Sequence, residues 1–406
     1  MENIGYVDEI FSSTDSAVNS NDFIIALFVV VFDTKKGYKD TIAEYLKVEG
    51  NCIEWCIPND IDLTGVEFKA IVSGSHTVIE DFVYFRHQEH YGLSCFALKS
   101  VNNAEERGAR MKSVGIICTK YTSLHEHQDF LELQVKYVLE KQYQYHDLIS
   151  YYFTYRNCPN RNNAFIEIKD TDDEVKYKKH FSVLKIRHPV GCFSQFIAYF
   201  GVSIFVLWKF LLLKKRILLF APPPVGAQCY RVYCLGLLAN HGYDLHRNFV
   251  NNLFYVNVGN LLALQNMDSF IACTTESILY NKQEAYDLYV NKQSIECPSQ
   301  RLKHVTKINS ADYDRYSRLC KYSEEQLSSG LEVTDDEVMY IRFFIEQNNR
   351  IFKVLYGVAS QEDKSITSNH MKEMGLDPRS DRVFVSELVE LYDIKLQMYN
   401  GACCGS

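Results

Sequence analysis

The sequence predicts an α/β protein in two or three parts, and three features predict it. Residues 22–150 carry short apolar strand-like runs closed by an amphipathic helix. Strand-like and helical runs then alternate between 192 and 273, the rhythm of a parallel sheet covered on both faces. From 308 onward the apolar spacing is helical. At 406 residues the chain is long enough for each part to bury its own core.

Taken in order, residues 22–32, DFIIALFVVVF, read as a strand bracketed by acidic groups. A segment bearing glycine and lysine, 34–51, leads to a short strand at 52–56, and 62–73 has helical spacing. Strands follow at 82–85, 92–98 and 112–118. Ser123 and Glu126 form a capping box that opens a helix with Leu124, Leu131, Val135 and Val138 on one face. Residues 156–179 are rich in Asn, Asp, Lys and Arg and read as a linker, with Ile166 and Ile168 as one short strand. Next come a helix at 192–213, a strand at 217–220, a helix at 225–240, and strands at 254–258 and 270–273 with a short helical segment between them. Downstream, Ser310 caps one helix, and Thr334 with Glu337 forms a second capping box. Val338, Ile341, Ile345, Phe352 and Leu355 make a stripe that Asn348 interrupts. A short helix at 367–375 stops at glycine, and Ser380 or Asp381 starts another carrying Phe384, Leu388 and Leu391. The organisation is a flexible terminus (1–21), an upstream domain (22–150), a linker (151–185), a central α/β domain (186–300), a helical part (301–400) and a tail (401–406).

The most ambiguous stretch is 192–233. Its first half, about twenty residues long, is apolar enough for a bilayer span and is followed by Lys214, Lys215 and Arg216. Lys209 lies inside it, however, and a strand-length apolar run ending at Pro222, Pro223 and Pro224 follows without a polar exit. A buried helix feeding a central strand explains both halves with one fold, so no transmembrane span is expected. Residues 1–21 have no basic region ahead of an apolar one, unlike a secretion signal. The 13 cysteines form no CxxC pair, and Cys192, Cys229, Cys234 and Cys273 sit in apolar runs, as core residues of a reducing compartment do. A cytoplasmic location is therefore expected. Cys403 and Cys404 stand near the end as in a prenylation box, but Gly405 departs from the aliphatic residue expected there.

The net charge of −8 argues against general nucleic-acid binding. The strand–turn–helix after 217 is where a phosphate loop would sit, yet its turn is three prolines, which remove N–H donors. Neither GxGxxG nor Gly-x-x-x-x-Gly-Lys occurs, so no nucleotide cofactor is expected. His125 and His127 are two residues apart on different helix faces; with His87 and His90 they read as surface histidines, and no metal is expected. Glu105, Arg107 and Arg110 form a charged loop that can present a cation to a phosphate-bearing partner. The polar run 346–350 reads as an internal hydrogen-bond network or a partner surface. This profile suits a regulator or scaffold that acts through surfaces.

The segments WCIPNDIDLTGVEFKAIVSGSH, ERGARMKSVGI, RILLFAPPPVGAQCYRVYC, FIACTTE, KINSAD, FFIEQNNRIF and MGLDPRSDR, in this order, resemble the DENN domain-containing protein 11 (LCHN) family of longin–DENN Rab regulators. The likeness runs over 23–392 and departs from the family mainly at 157–179, at 35–50 and at the termini. The resemblance implies a tripartite DENN module: a longin-like α+β domain, a central helix-wrapped, mainly parallel sheet, and a C-terminal helical subdomain. It also implies a Rab-type small GTPase as partner, bound between the first two parts, with GDP release as the outcome and membrane trafficking as the setting. Peripheral association with vesicle membranes, or a partner protein, goes with that expectation.

Exchange needs no covalent chemistry, only tighter binding of the nucleotide-free GTPase than of the loaded one. Charge and placement make Asp60 and Asp62, with Arg107 and Arg110, the candidate GTPase contacts. The alternatives are a GTPase-activating protein that lends Arg107 or Arg110, and an adaptor indifferent to nucleotide.

Overall fold

The apolar run near the N-terminus forms strand β1 (Ile24–Asp33), and residues 26–30 are fully buried because β1 is flanked on both edges. In the computed structural model the described residues are 23–33, 50–102, 108–156, 193–243, 250–328 and 336–398. They fall into two units: the first takes the residues up to 156 together with 222–227, and the second takes 193–221 and the residues from 228 onward.

In the first unit β1 is joined by β2 (Gly50–Ile57), β3 (Glu80–His87), β4 (His90–Ser100) and β5 (Ala109–Cys118). The order is β2-β1-β5-β4-β3, and every neighbouring pair is antiparallel. One face packs Ala26, Phe28, Val30, Phe85, Phe96 and Ile117 against Val66 and Ala70 of helix α1 (Glu67–Ala70) and the turn before it. Phe28 stands opposite Gly115 and Phe85 opposite Gly92, each ring filling the space a Cβ would need. Those glycines let the rings lie flat on the sheet. Helix α2 (Gln128–Glu140) buries Leu131, Val135 and Val138. Helix α3 (His146–Tyr155) buries Leu148, Tyr151, Tyr152 and Tyr155.

Two local expectations change. The helical spacing over 62–73 condenses to the four residues of α1, because Gly65 (φ 83°) and Gly74 (φ 87°) break the helix on either side. The Ser123–Glu126 capping box does not form: Ser123 Oγ donates to the Lys120 carbonyl instead, and the chain enters α2 through a 3₁₀ turn, Leu124–His127. The second expected box lies outside the described residues at Thr334, as do Ile166 and Ile168.

The second unit opens with α4 (Phe193–Phe200) and α5 (Ile204–Leu212), separated by a 3₁₀ turn at Gly201, whose φ is 54°. Strand β6 (Arg216–Phe220) follows, then α6 (Gly226–Leu237), whose first two residues group with the first unit. Strand β7 (Asn252–Tyr255), α7 (Leu261–Gln265), β8 (Phe270–Thr274), β9 (Leu288–Asn291) and β10 (Ser294–Glu296) complete a sheet ordered β10-β9-β6-β8-β7. Its strands are parallel except for β10, which pairs antiparallel with β9 in a hairpin.

Helices α8 (Ser310–Ser328) and α9 (Asp336–Ala359) follow, then β11 (Ser365–Ile366), α10 (Ser368–Glu373), α11 (Arg382–Leu391) and β12 (Gln397–Met398), with β11 and β12 paired in parallel. Thr367 caps α10 in a reciprocal box with His370, and Gly375 (φ 73°) ends it as expected.

Every residue of α5 is buried, Lys209 included. Its Nζ donates to Asp312 (2.9 Å) and Asp381 (2.7 Å), and Arg315 lies 3.5 Å from Asp312 and 3.8 Å from Asp381. Two cations and two carboxylates balance in the interior, and the Arg315 guanidinium also donates to the Gly375 carbonyl and stacks over Trp208. The interruption in the α9 stripe is likewise structural. Asn348 accepts from Trp208 Nε1 (2.6 Å) and donates to the carbonyls of Leu238 and Asn240 (2.8 Å each), just past the end of α6. The stretch Phe193–Leu212 is long and apolar enough to cross a bilayer, and most of it is buried inside the protein.

Candidate functional site

The candidate contacts occupy the first unit, and its register decides which of them stand together. Asp60 and Asp62 lie in the turn between β2 and α1, and both are exposed. The Asp62 carboxylate accepts from the Thr64 backbone N–H (3.0 Å) and hydroxyl (2.7 Å), which holds its pKa below the usual carboxylate range. Its carbonyl accepts from His87 Nε2 at 2.7 Å, tying the turn to the β3–β4 hairpin. Beside it Lys69 donates to the Arg86 carbonyl at 2.6 Å, and burial lowers the Lys69 pKa to about 8. Arg86 lies over the Tyr91 ring at 4.3 Å and 3.8 Å from the exposed Glu89. Burial, with His87 and Arg86 nearby, pushes the His90 pKa down.

Arg110 stands at the start of β5, opposite Lys99. Its guanidinium donates to the Leu139 carbonyl at 2.9 Å, in the last turn of α2. The Gln142 side-chain oxygen, in the amide orientation that satisfies both groups, accepts from the same guanidinium at 2.7 to 2.9 Å. The residue thus caps a helix C-terminus, where a cation is favoured. Arg107 lies outside the described residues.

Ile57, the end of β2, is level with Leu27 of β1, whereas Lys112 of β5 is level with Val31. Arg110, two residues earlier in β5, is therefore six register positions from Ile57, or about 20 Å along the strands. Asp60 and Asp62 gather with the β3–β4 hairpin at one end of the sheet, and Arg110 sits at the other. The sheet does not bring Asp60 and Asp62 together with Arg110. One-dimensional spacing holds no signal for this, because it appears only when β1 is inserted between β2 and β5.

Two further polar centres escaped the sequence. Lys112 is buried and paired with Glu54 at 2.5 Å, next to Trp55, whose indole stacks on Tyr145 at 4.9 Å. Burial, with Glu54 nearby, pushes the Tyr145 phenol upward. At the start of β3 the Asp81 carboxylate is 8% exposed and accepts from the backbone N–H groups of Phe82 (2.8 Å), Val225 (2.7 Å) and Gly226 (3.2 Å). Burial outweighs those donors and raises its pKa to about 6. The N–H groups that follow the three prolines thus serve this carboxylate. Among the described residues no group of three or more His, Cys, Asp or Glu side chains is placed to share a metal ion.

Comparison with known proteins bears on the whole chain. The family model described as DENN domain-containing protein 11 matches residues 27–302. The chain is 43% identical over 393 residues to DENN domain-containing protein 11 of Xenopus laevis, covering 95% of this chain and 87% of that protein. Against the protein of the same name from Danio rerio it is 42% identical over 394 residues, covering 94% and 78%. Against that of Mus musculus it is 42% identical over 396 residues, covering 94% and 84%.

Proposed function

The chain belongs to the DENN domain-containing protein 11 family, and from that premise we propose that it is a guanine nucleotide exchange factor for a Rab-type small GTPase. DENN-domain proteins generally act on small GTPases in this way, and the likeness over nearly the whole length of the chain is the observation that carries the reading. The chain works by surface binding: it holds the nucleotide-free GTPase more tightly than the loaded one, so GDP leaves faster. A 10⁴-fold acceleration requires about 5.5 kcal/mol of differential binding, within reach of a few well-placed contacts.

Asp60 and Asp62 are the acidic contacts of this reading, since their end of the sheet presents exposed carboxylates held by a hydrogen-bonded turn. Arg107 and Arg110 are the basic contacts, with Arg110 acting from its seat on the end of α2. The protein operates in the cytoplasm, peripherally on vesicle membranes. GDP-release assays with purified Rab GTPases test the proposal, the expected result being faster release from at least one of them. Binding without faster release points to an adaptor. Faster GTP hydrolysis that disappears in Arg107→Ala or Arg110→Ala points to a GTPase-activating protein.

A further inference from the structure

We propose that Lys209 is a targeting determinant: its buried ion pairs commit the segment Phe193–Leu212 to the protein interior, and its charge keeps the same segment out of bilayers. As a continuous helix this 20-residue segment would reach about 30 Å, the thickness of a hydrocarbon core. Lys209 is its sole charged residue, and Lys214, Lys215 and Arg216 follow as a basic flank. The segment is already long and apolar enough to span, and an apolar residue at 209 would remove the one charge that opposes insertion.

In the folded chain Lys209 is 0% exposed and bonded to Asp312 and Asp381, with Arg315 completing a neutral cluster. Removing the lysine therefore acts twice in one direction. It leaves two buried carboxylates facing one guanidinium, which weakens the docked state. It also deletes the charge that opposes insertion, an effect moderated because a lysine this close to a helix end can snorkel.

The test translates the full chain in the presence of microsomes, extracts at alkaline pH, and measures the fraction that floats with the membranes; aggregates sink and are not counted. Lys209→Leu is expected to raise that fraction about tenfold over the wild type, the figure allowing for snorkelling. The double variant Asp312→Asn/Asp381→Asn breaks the same cluster but keeps the lysine, and is expected to stay at the wild-type level. Flotation of Lys209→Leu at the wild-type level overturns the proposal. So does equal flotation of both variants, since exposure of the helix by unfolding would then suffice without loss of the charge.

Discussion

Replacing Asp81 by asparagine is expected to remove a pH dependence of stability whose size follows from the structure. Among the described residues the carboxylate's hydrogen-bond set holds no cation, only the three N–H groups of Phe82, Val225 and Gly226. Burial raises its pKa from 3.8 to about 6. Because the folded value lies above the unfolded one, protonation favours the fold: this group's contribution is fully present below pH 3.8 and is lost as pH rises through 6. The full span is worth about 3 kcal/mol, and the part regained between pH 7 and pH 5 about 1 kcal/mol. Burial raises Glu132 as well, and Lys136 pairs with Glu80, the residue before Asp81 in β3, so the wild-type profile alone is not diagnostic. Asparagine keeps the shape and one acceptor oxygen but does not titrate in this range, so subtracting its profile isolates Asp81. Urea unfolding of both proteins at pH 5, 6 and 7 should show the wild type gaining about 1 kcal/mol on Asp81→Asn as pH falls. Parallel profiles would refute the reasoning.

Other substitutions probe the two units separately. Asn348→Leu strips the Trp208 N–H and the carbonyls of Leu238 and Asn240 of their buried partner, so chemical unfolding should show a loss of about 3 kcal/mol or more. Gly115→Val sets a side chain where the Phe28 ring lies, and should destabilise by about 1 to 3 kcal/mol. Combining it with Phe28→Ala should recover part of the loss, a coupling that a double-mutant cycle reads directly.

Much of the fold is legible in the sequence because burial is written in period and composition. The strand–helix–strand order through 217–273 and the glycine stop at Gly375 are found in the structure. Lys209 and Asn348 stand out as polar residues in apolar stripes, and each proves to be held by buried partners distant in sequence. Those partners were not legible: Asp312 and Asp381 look like ordinary helix-start acids until packing brings them to one ammonium. Helix α3 is not legible because its buried face is largely tyrosine, and β10 is not because it has one apolar residue in three. The Ser123 box failed because a closer carbonyl, that of Lys120, takes the hydroxyl. Among the candidate contacts, residue type was readable but separation was not, since the chain order of the strands differs from their order in the sheet.

GDP release from a panel of purified Rab GTPases, followed with the full chain at substoichiometric concentration, bears most directly on the exchange reading. The account predicts that at least one GTPase loses GDP about 10² to 10⁴ times faster, and that Asp60→Asn with Asp62→Asn, which keeps an acceptor for Thr64, reduces the effect in a protein that remains folded. A panel in which no GTPase releases faster, and none binds the chain in its nucleotide-free form, would contradict it.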